Sequence, residues 1–250
     1  MPDWTWAAAS RRGTAHEANG EGRQDAYRVL AVGRFVIAIA CDGAGSTRHG
    51  RLGAVIAARM LSMRAAEWVD RHEAAPPPGT VEMWVAEARL AILVHADRRG
   101  CVMGEFASTL AMVISDGTST ISAHVGDGAI IGRRASSDSF TDLSWPESGQ
   151  YASTTFFLTD EAPRLRIGVM SGIAIDCLAI MTDGLERLAL NFADRVVHPA
   201  FFRGIFAPFA SIASCGRDRK LSKQLAVFLS SDTVNARTDD DKTLVLATLR

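Results

Sequence analysis

Cysteine and proline are scarce in this chain, and neither is placed to dictate a fold. The 4 cysteines, Cys41, Cys101, Cys177 and Cys215, are scattered and form no C-x-x-C pair, which argues against a disulfide framework and fits a reducing, cytoplasmic setting. With 8 prolines in 250 residues, 48% apolar and 22% charged, the composition is neither disordered nor collagen-like. Charge of one sign is also lacking. Lys and Arg total 27 against 28 Asp and Glu, and a net charge of -1 offers no field to hold a polyanion, so nucleic acid is not an expected partner. No apolar run reaches the roughly 18 to 20 residues of a membrane span, since even 172–181 carries Asp176 in its middle, and no membrane partner is expected. The apolar patch Trp4 to Ala9 precedes Arg11-Arg12, the reverse of a signal peptide, so the start of the chain is expected to belong to the mature protein. There is no internal repeat, and the length suits one domain over residues 1–250.

Hydrophobic periodicity supplies the element order. Val29 to Cys41 reads as a buried strand that stops at Asp42-Gly43-Ala44-Gly45-Ser46. Apolar residues at helical spacing from Leu52 to Val69 predict a long helix, and Pro76 to Gly79 break it. Thr80 as N-cap opens a second helix that ends near Gly100, and the two are expected to pair antiparallel. The period then changes to two. Phe106 to Ile114 and Thr120 to Val125 predict a hairpin, and Ala129 to Arg133 a third strand continuing it as a meander. A short strand at Phe156 to Leu158, a buried strand at Ile173 to Met181, helical character to about Ser230 and a core strand from Thr243 to Ala247 are expected to complete the chain. Strands around blocks of helix, without regular βαβ alternation, indicate an α+β fold with antiparallel sheets.

Three apolar strands stop at Asp-Gly: Asp42-Gly43, Asp127-Gly128 and Asp183-Gly184. A strand end fixes a carboxylate on a rigid element, and the glycine lets backbone approach a ligand closely. With Asp25 before the first strand and Asp240 before the last, five acids are expected to meet at one edge of the sheets. Crowded carboxylates raise one another's pKa unless a cation offsets them, which makes a metal the natural occupant. An all-oxygen donor set suits Mg²⁺ or Mn²⁺, and spaced His and Cys ligands for zinc are lacking. Two such ions clamping a phosphate imply phosphoester hydrolysis. Asp116-Gly117, by contrast, reads as an ordinary hairpin turn.

The ordered blocks Gln24-Asp25-Ala26, Asp42-Gly43-Ala44-Gly45-Ser46, Phe106-Ala107-Ser108-Thr109, Val125-Gly126-Asp127-Gly128, Met181-Thr182-Asp183-Gly184-Leu185 and Asp239-Asp240-Asp241-Lys242-Thr243 resemble the protein phosphatase 2C family of metal-dependent serine/threonine phosphatases, in particular its compact bacterial subgroup. The resemblance implies an αββα sandwich of two antiparallel sheets flanked by helices. It also implies a binuclear Mn²⁺ or Mg²⁺ site and hydrolysis of phosphomonoesters by a metal-bridged hydroxide. Carried onto this sequence, Asp42 bridges both ions, the Gly43 carbonyl ligates one, Asp183 and Asp240 complete the other, and Asp25 acts through water. Asp127, with Asp183, matches the ligand of a third ion, and His16 the contact to substrate phosphate. The resemblance favours Asp240 over Asp241, because the family's acid lies three residues before the strand threonine, here Thr243. The implied partners are a phosphoserine or phosphothreonine protein and the Ser/Thr kinase that the enzyme counteracts.

Two positions depart from the pattern. Gln24 stands where an acid precedes Asp25, and Ala44 where a histidine serves as general acid, a role worth roughly 10²- to 10⁴-fold. These departures support an alternative reading, a weakly active or inactive phosphatase-like module that binds phosphoprotein as a regulator. Retention of Asp25, Asp42, Asp183 and Asp240 counts against it, because uncompensated clustered acids are costly. His49 is a candidate replacement acid, and His124 is read as a structural sheet histidine. The loop from Gly149 to Glu161 is the candidate for substrate selection.

Overall fold

The computed structural model describes residues 3–135, 137, 139–147 and 155–250. In chain order the strands are β1 (Trp4–Arg11), β2 (Ala26–Val32), β3 (Phe35–Cys41), β4 (Leu110–Ser115), β5 (Ser119–Val125), β6 (Ala129–Arg134), β7 (Phe140–Ser144), β8 (Arg166–Ser171), β9 (Ile175–Met181), β10 (Leu190–Asn191), β11 (Val196–Val197), β12 (Gly216–Arg217) and β13 (Lys242–Leu249). The α-helices are α1 (Thr14–Ala18), α2 (Gly50–His72), α3 (Pro78–Asp97), α4 (Glu186–Ala189), α5 (Pro199–Phe206), α6 (Arg219–Leu229) and α7 (Asp232–Asn235). One sheet runs β12-β1-β13-β9-β6-β7 and the other β2-β3-β4-β5-β8, antiparallel except where β1 meets β12.

Alternation along β3 shows why the layers stack. Phe35, Ile37, Ile39 and Cys41 face a cluster with Leu61, Trp84 and Ile92 of α2 and α3. The intervening Val36, Ala38 and Ala40 join Ala111, Val113, Ile130, Ile180 and Val245 between the two sheets. A strand buried on both faces reads as a continuous apolar run, and small inner residues let two sheets interdigitate. On the far side, Phe202 and Phe206 of α5 and Leu225 of α6 cover Ala7, Ile131, Ala179 and Leu244. The result is helix, sheet, sheet, helix. Arg64–Glu87 at 2.7 Å and the edge contact Trp68–Trp84 tie α2 to α3 in antiparallel register, as expected from the sequence.

Several expected boundaries are corrected. Val29 to Cys41 is the end of one strand plus the whole of another, because the turn at Gly33-Arg34 folds β2 back on β3. The Trp4 to Ala9 patch lies in β1, which pairs with β13 from Trp4↔Leu249 to Arg11↔Lys242. α3 begins at Pro78 with Pro77 as N-cap and Thr80 inside, since proline's fixed φ suits the first turn. Phe106 ends a 3-10 turn, Met103–Phe106, so β4 starts only at Leu110. Phe156 to Leu158 is no strand. Leu158 is buried there, and its N–H donates to the Ser108 carbonyl at 2.8 Å. The half-buried strand β8 carries no clear alternation, and the stretch to Ser230 breaks into short helices separated by two-residue strands.

The correction that matters most for function concerns β6. It does not extend the β4-β5 meander but crosses to the other sheet and pairs with β9 and β7. Gly126 and Gly128 permit the crossing. Gly126 has φ of 101°, and a Cβ at Gly128 would stand 2.7 Å from the Met181 carbonyl. Asp127 is thereby delivered to the seam between the sheets.

Candidate metal centre

The expected site acids lie next to strand ends, whereas His16 lies within the short helix α1. Asp42 follows β3, and its N–H donates to Thr109 Oγ1 at 2.9 Å while its carbonyl accepts from Thr109 N at 2.8 Å. Gly43 bridges Ser108, and a Cβ there would lie 2.3 Å from Gly50, so the start of α2 packs directly on the loop. Asp183 opens a 3-10 turn directly after β9 and Thr182, and Asp127 occupies the crossover. These three strand ends bring carboxylate oxygens of Asp42, Asp127 and Asp183 within 4.8 Å of one another. Asp127, Asp183 and Asp240 line one cleft of about 480 Å³, with Glu186, Arg187 and Arg237 on its walls.

Asp25 lies beneath, 1% exposed, with Oδ2 accepting from the hydroxyls of Thr182 at 2.9 Å and Thr243. No donor among the described residues reaches Asp25 Oδ1, Asp127 Oδ1 or Glu186 Oε1. The electrostatics follow from that deficit. Burial, then the charges of Asp25, Asp183 and Asp240, push Asp42 well above the usual carboxylate range. Burial, then Asp127, Asp240, Asp25 and Glu186, do the same to Asp183. Burial lifts Asp25 to about 6 and Glu186 to about 8, and it raises Asp127 and Asp240. Buried carboxylates with unfilled acceptor sites and no guanidinium partner fit a hard divalent cation held by oxygen.

Asp240 and Asp241 separate cleanly. Asp240 faces the cleft. Asp241 is 1% exposed and turned inward, where it accepts from the N–H groups of Gly13, at 2.7 Å, and Gln24 and lies 3.0 Å from His16 Nδ1. His16 is thus held against Asp241 beside Gly45, whose added Cβ would meet its Nε2 at 3.4 Å. Burial lowers the His16 pKa, but the hydrogen bond and charge of Asp241, with Asp240 and Glu21, outweigh it and leave the pKa raised.

Gln24, with its amide nitrogen turned to the loop, donates to the carbonyls of Gly43 at 3.1 Å and Ala44 at 3.0 Å. A carbonyl oxygen has two lone pairs, so the Gly43 carbonyl retains one for a cation. Ala44 is buried, and His49 caps α2 with its ring against Phe106 at 4.9 Å. His124 is wholly buried, and its Nδ1 lies 2.8 Å from Ser144 Oγ and 2.9 Å from Arg166. Burial and the Arg166 charge hold it neutral, at about 3.

The loop expected to select substrate falls partly outside the described residues, at 149–154. Its remainder reaches the site, because the Thr155 hydroxyl donates to Asp127 Oδ2. Thr155 enters the sequence reading only as part of the loop from Gly149 to Glu161, and Glu186 enters no site assignment there. Thr155 carries no local signal. Glu186 does, since it follows Asp183 by three residues into a helical turn, a spacing that puts both on one face. A second cleft of about 400 Å³ between α5 and α6 is lined by Phe201, Ile205, Phe209, Leu221, Leu225 and Phe228 and contains no ionisable group.

A family model described as Protein phosphatase 2C matches residues 12–230. Serine/threonine-protein phosphatase 3 of Escherichia coli K12 is 31% identical over 258 residues, spanning 98% of each chain. Among solved structures, PppA of Pseudomonas aeruginosa superposes with a TM-score of 0.67 at 17% identity, covering 99% of this chain and 98% of that one. The catalytic domain of the serine threonine protein phosphatase PstP, in complex with two manganese ions, gives 0.65 at 15% identity over 98% of both. At such identities these structures show a shared fold, two antiparallel sheets between helical layers.

Proposed function

The chain belongs to the protein phosphatase 2C family and is a serine/threonine phosphoprotein phosphatase, and from that premise we propose a metal-dependent phosphomonoester hydrolase whose single domain spans residues 1–250. The observation that carries the metal assignment is the convergence of Asp42, Asp127 and Asp183 within 4.8 Å from three separate strand ends. In this reading Asp42, the Gly43 carbonyl, Asp183 and Asp240 would hold two Mn²⁺ or Mg²⁺ ions. Asp25 would contribute through water, and Asp127 with Asp183 would hold a third ion. The PstP neighbour's two manganese ions support a divalent metal without deciding between Mn²⁺ and Mg²⁺. Bound cations of this kind polarise a phosphoryl group and lower the pKa of water.

The protein's own groups do the rest. Thr182 and Thr243 hold Asp25 in one orientation, and Thr109 fixes the Asp42 backbone. Gln24 stiffens the Gly43-Ala44 loop. His16, its pKa raised by the hydrogen bond and charge of Asp241, would supply the contact for substrate phosphate. The substrate is a phosphoserine or phosphothreonine protein modified by a Ser/Thr kinase, and the cytoplasm is where the two would meet. No helix among the described residues is long and apolar enough to cross a membrane.

The test is hydrolysis of p-nitrophenyl phosphate and of a phosphothreonine peptide with EDTA, Mg²⁺ or Mn²⁺, beside a calorimetric metal titration. Turnover that appears only with metal is the expected result. Tight metal binding with no turnover of either substrate would overturn the hydrolase and favour the regulatory module.

A further inference from the structure

The walls of the metal cleft carry charge opposite to that of its floor. Arg187 projects from α4 four residues after Asp183, and Arg237 precedes Asp240 by three, so a guanidinium flanks each of two floor acids. Both arginines line the cleft and are exposed. Arg187 lowers the pKa of Glu186 through space, yet among the described residues no carboxylate stands within ion-pairing distance of either guanidinium. By contrast, Arg34 folds onto Asp116 at 3.1 Å and the half-buried Arg64 onto Glu87 at 2.7 Å. Cations on the floor would offset its carboxylates, leaving the rim with two positive forks.

We propose that Arg187 and Arg237 make the enzyme selective for acidic phosphopeptides, pairing with carboxylates or a second phosphate beside the residue being dephosphorylated. This rests on the phosphatase reading of the same cleft. A phosphorylated side chain that reaches the floor lays its neighbouring residues across the rim. Guanidinium binds carboxylate or phosphate through two parallel N–H donors, which gives direction as well as charge. Lysines at those positions meet like charge and are disfavoured.

The experiment compares kcat/KM for two phosphothreonine peptides that differ only in flanking Glu or Lys residues, with metal-dependent p-nitrophenyl phosphate hydrolysis measured alongside. The wild type is expected to prefer the Glu peptide by about 10-fold at low salt, with the preference shrinking as salt is added. The double variant Arg187→Gln/Arg237→Gln should bring the ratio to within about twofold, and each single variant should fall between. The ratio is unaffected by the fraction of correctly folded enzyme. Arg98→Gln removes one positive charge at the end of α3 and should leave the preference in place. Equal kcat/KM on both peptides, or a preference that survives in the double variant, overturns the proposal while hydrolysis of p-nitrophenyl phosphate keeps the phosphatase reading. Absence of that hydrolysis with Mn²⁺ or Mg²⁺ overturns both.

Discussion

Strand β5 has an Asp-Gly pair near each end, and the two pairs do opposite things. At Asp116-Gly117 the carboxylate serves its own turn. Its Oδ1 accepts from Thr118 N at 2.8 Å, Thr118 Oγ1 at 2.9 Å and Ser119 N at 2.6 Å, and its Oδ2 lies 3.1 Å from the Arg34 guanidinium. Burial raises its pKa, but those backbone and side-chain donors outweigh it, and the pKa ends lowered. At Asp127-Gly128 the Thr155 hydroxyl donates to Oδ2, no hydrogen bond from the described residues reaches Oδ1, and burial, with the Asp240 charge, leaves the pKa raised. The same dipeptide is a completed turn where the chain supplies donors and a candidate ligand site where it withholds them. Unfilled acceptor capacity, not the presence of an acid, separates the two.

The largest effect that sharpens this contrast lies with the site acids. Asp183→Asn should lower metal-dependent kcat/KM on the order of 10³-fold, since losing a ligand to a Lewis-acid centre forfeits several kcal/mol. In EDTA the same variant should melt higher than wild type, because it removes one of several mutually repelling buried charges; about 1 kcal/mol corresponds to roughly 2 to 4 °C for a chain this size. Activity that survives in Asp183→Asn would remove that residue from the metal centre. A lower melting temperature in EDTA would mean its carboxylate is structural.

The pH dependence of the metal-free protein follows with its sign fixed. Asp25 and Glu186 have folded pKa values near 6 and 8, above the values of 3.8 and 4.5 of free side chains. Their contribution is fully present below pH about 4 and is lost as pH rises through the folded values, so stability in EDTA should fall between pH about 4 and 8. Saturating Mn²⁺ should flatten that slope. Chemical denaturation across this range checks it, and a rise in EDTA would contradict the crowding. Asp116 works the other way, because its depressed pKa contributes stability above the free value that disappears in acid. Asp116→Ala should therefore cost about 2 kcal/mol at neutral pH, less at acid pH, and leave kcat alone. An equal loss at both pH values would show that packing, not the turn's hydrogen bonds, sets its cost.

Which of these acids belong together was legible in the sequence, because strands that end in Asp-Gly announce themselves through local pattern. The same pattern separated Asp116 from the rest, whereas the preference for Asp240 over Asp241 came from the family resemblance; Asp240 faces the cleft, while Asp241 is tied to Gly13, Gln24 and His16. What the pattern did not carry was long-range. Periodicity of two marks β6 as a strand but cannot say which sheet it joins, and that choice rests on Met181 lying against Gly128. β2 and β3 merged into one run because both are apolar and a two-residue turn leaves little trace. The hydroxyls that orient the acids, Thr182 and Thr243 on Asp25, come from positions more than 150 residues away in sequence, at separations of 157 and 218.

The smallest expected effect tests the side-chain hydroxyl that donates to Asp127. Thr155 reaches Asp127 from the segment between the sheets' crossover and β8, so its hydroxyl occupies acceptor capacity that a cation on Asp127 would otherwise use. Thr155→Val keeps the shape of the side chain and removes the donor. If Asp127 helps to hold a third, weaker ion, its carboxylate becomes a freer ligand in the variant, and the affinity of the weakest Mn²⁺ step in a calorimetric titration should rise about 2- to 5-fold, equivalent to one net hydrogen bond of about 0.5 to 1 kcal/mol. The opposite result is equally informative. Weaker metal binding in Thr155→Val would mean that the hydroxyl orients Asp127 for the ion, which would make Asp127 resemble Asp116: a carboxylate whose geometry the chain itself completes.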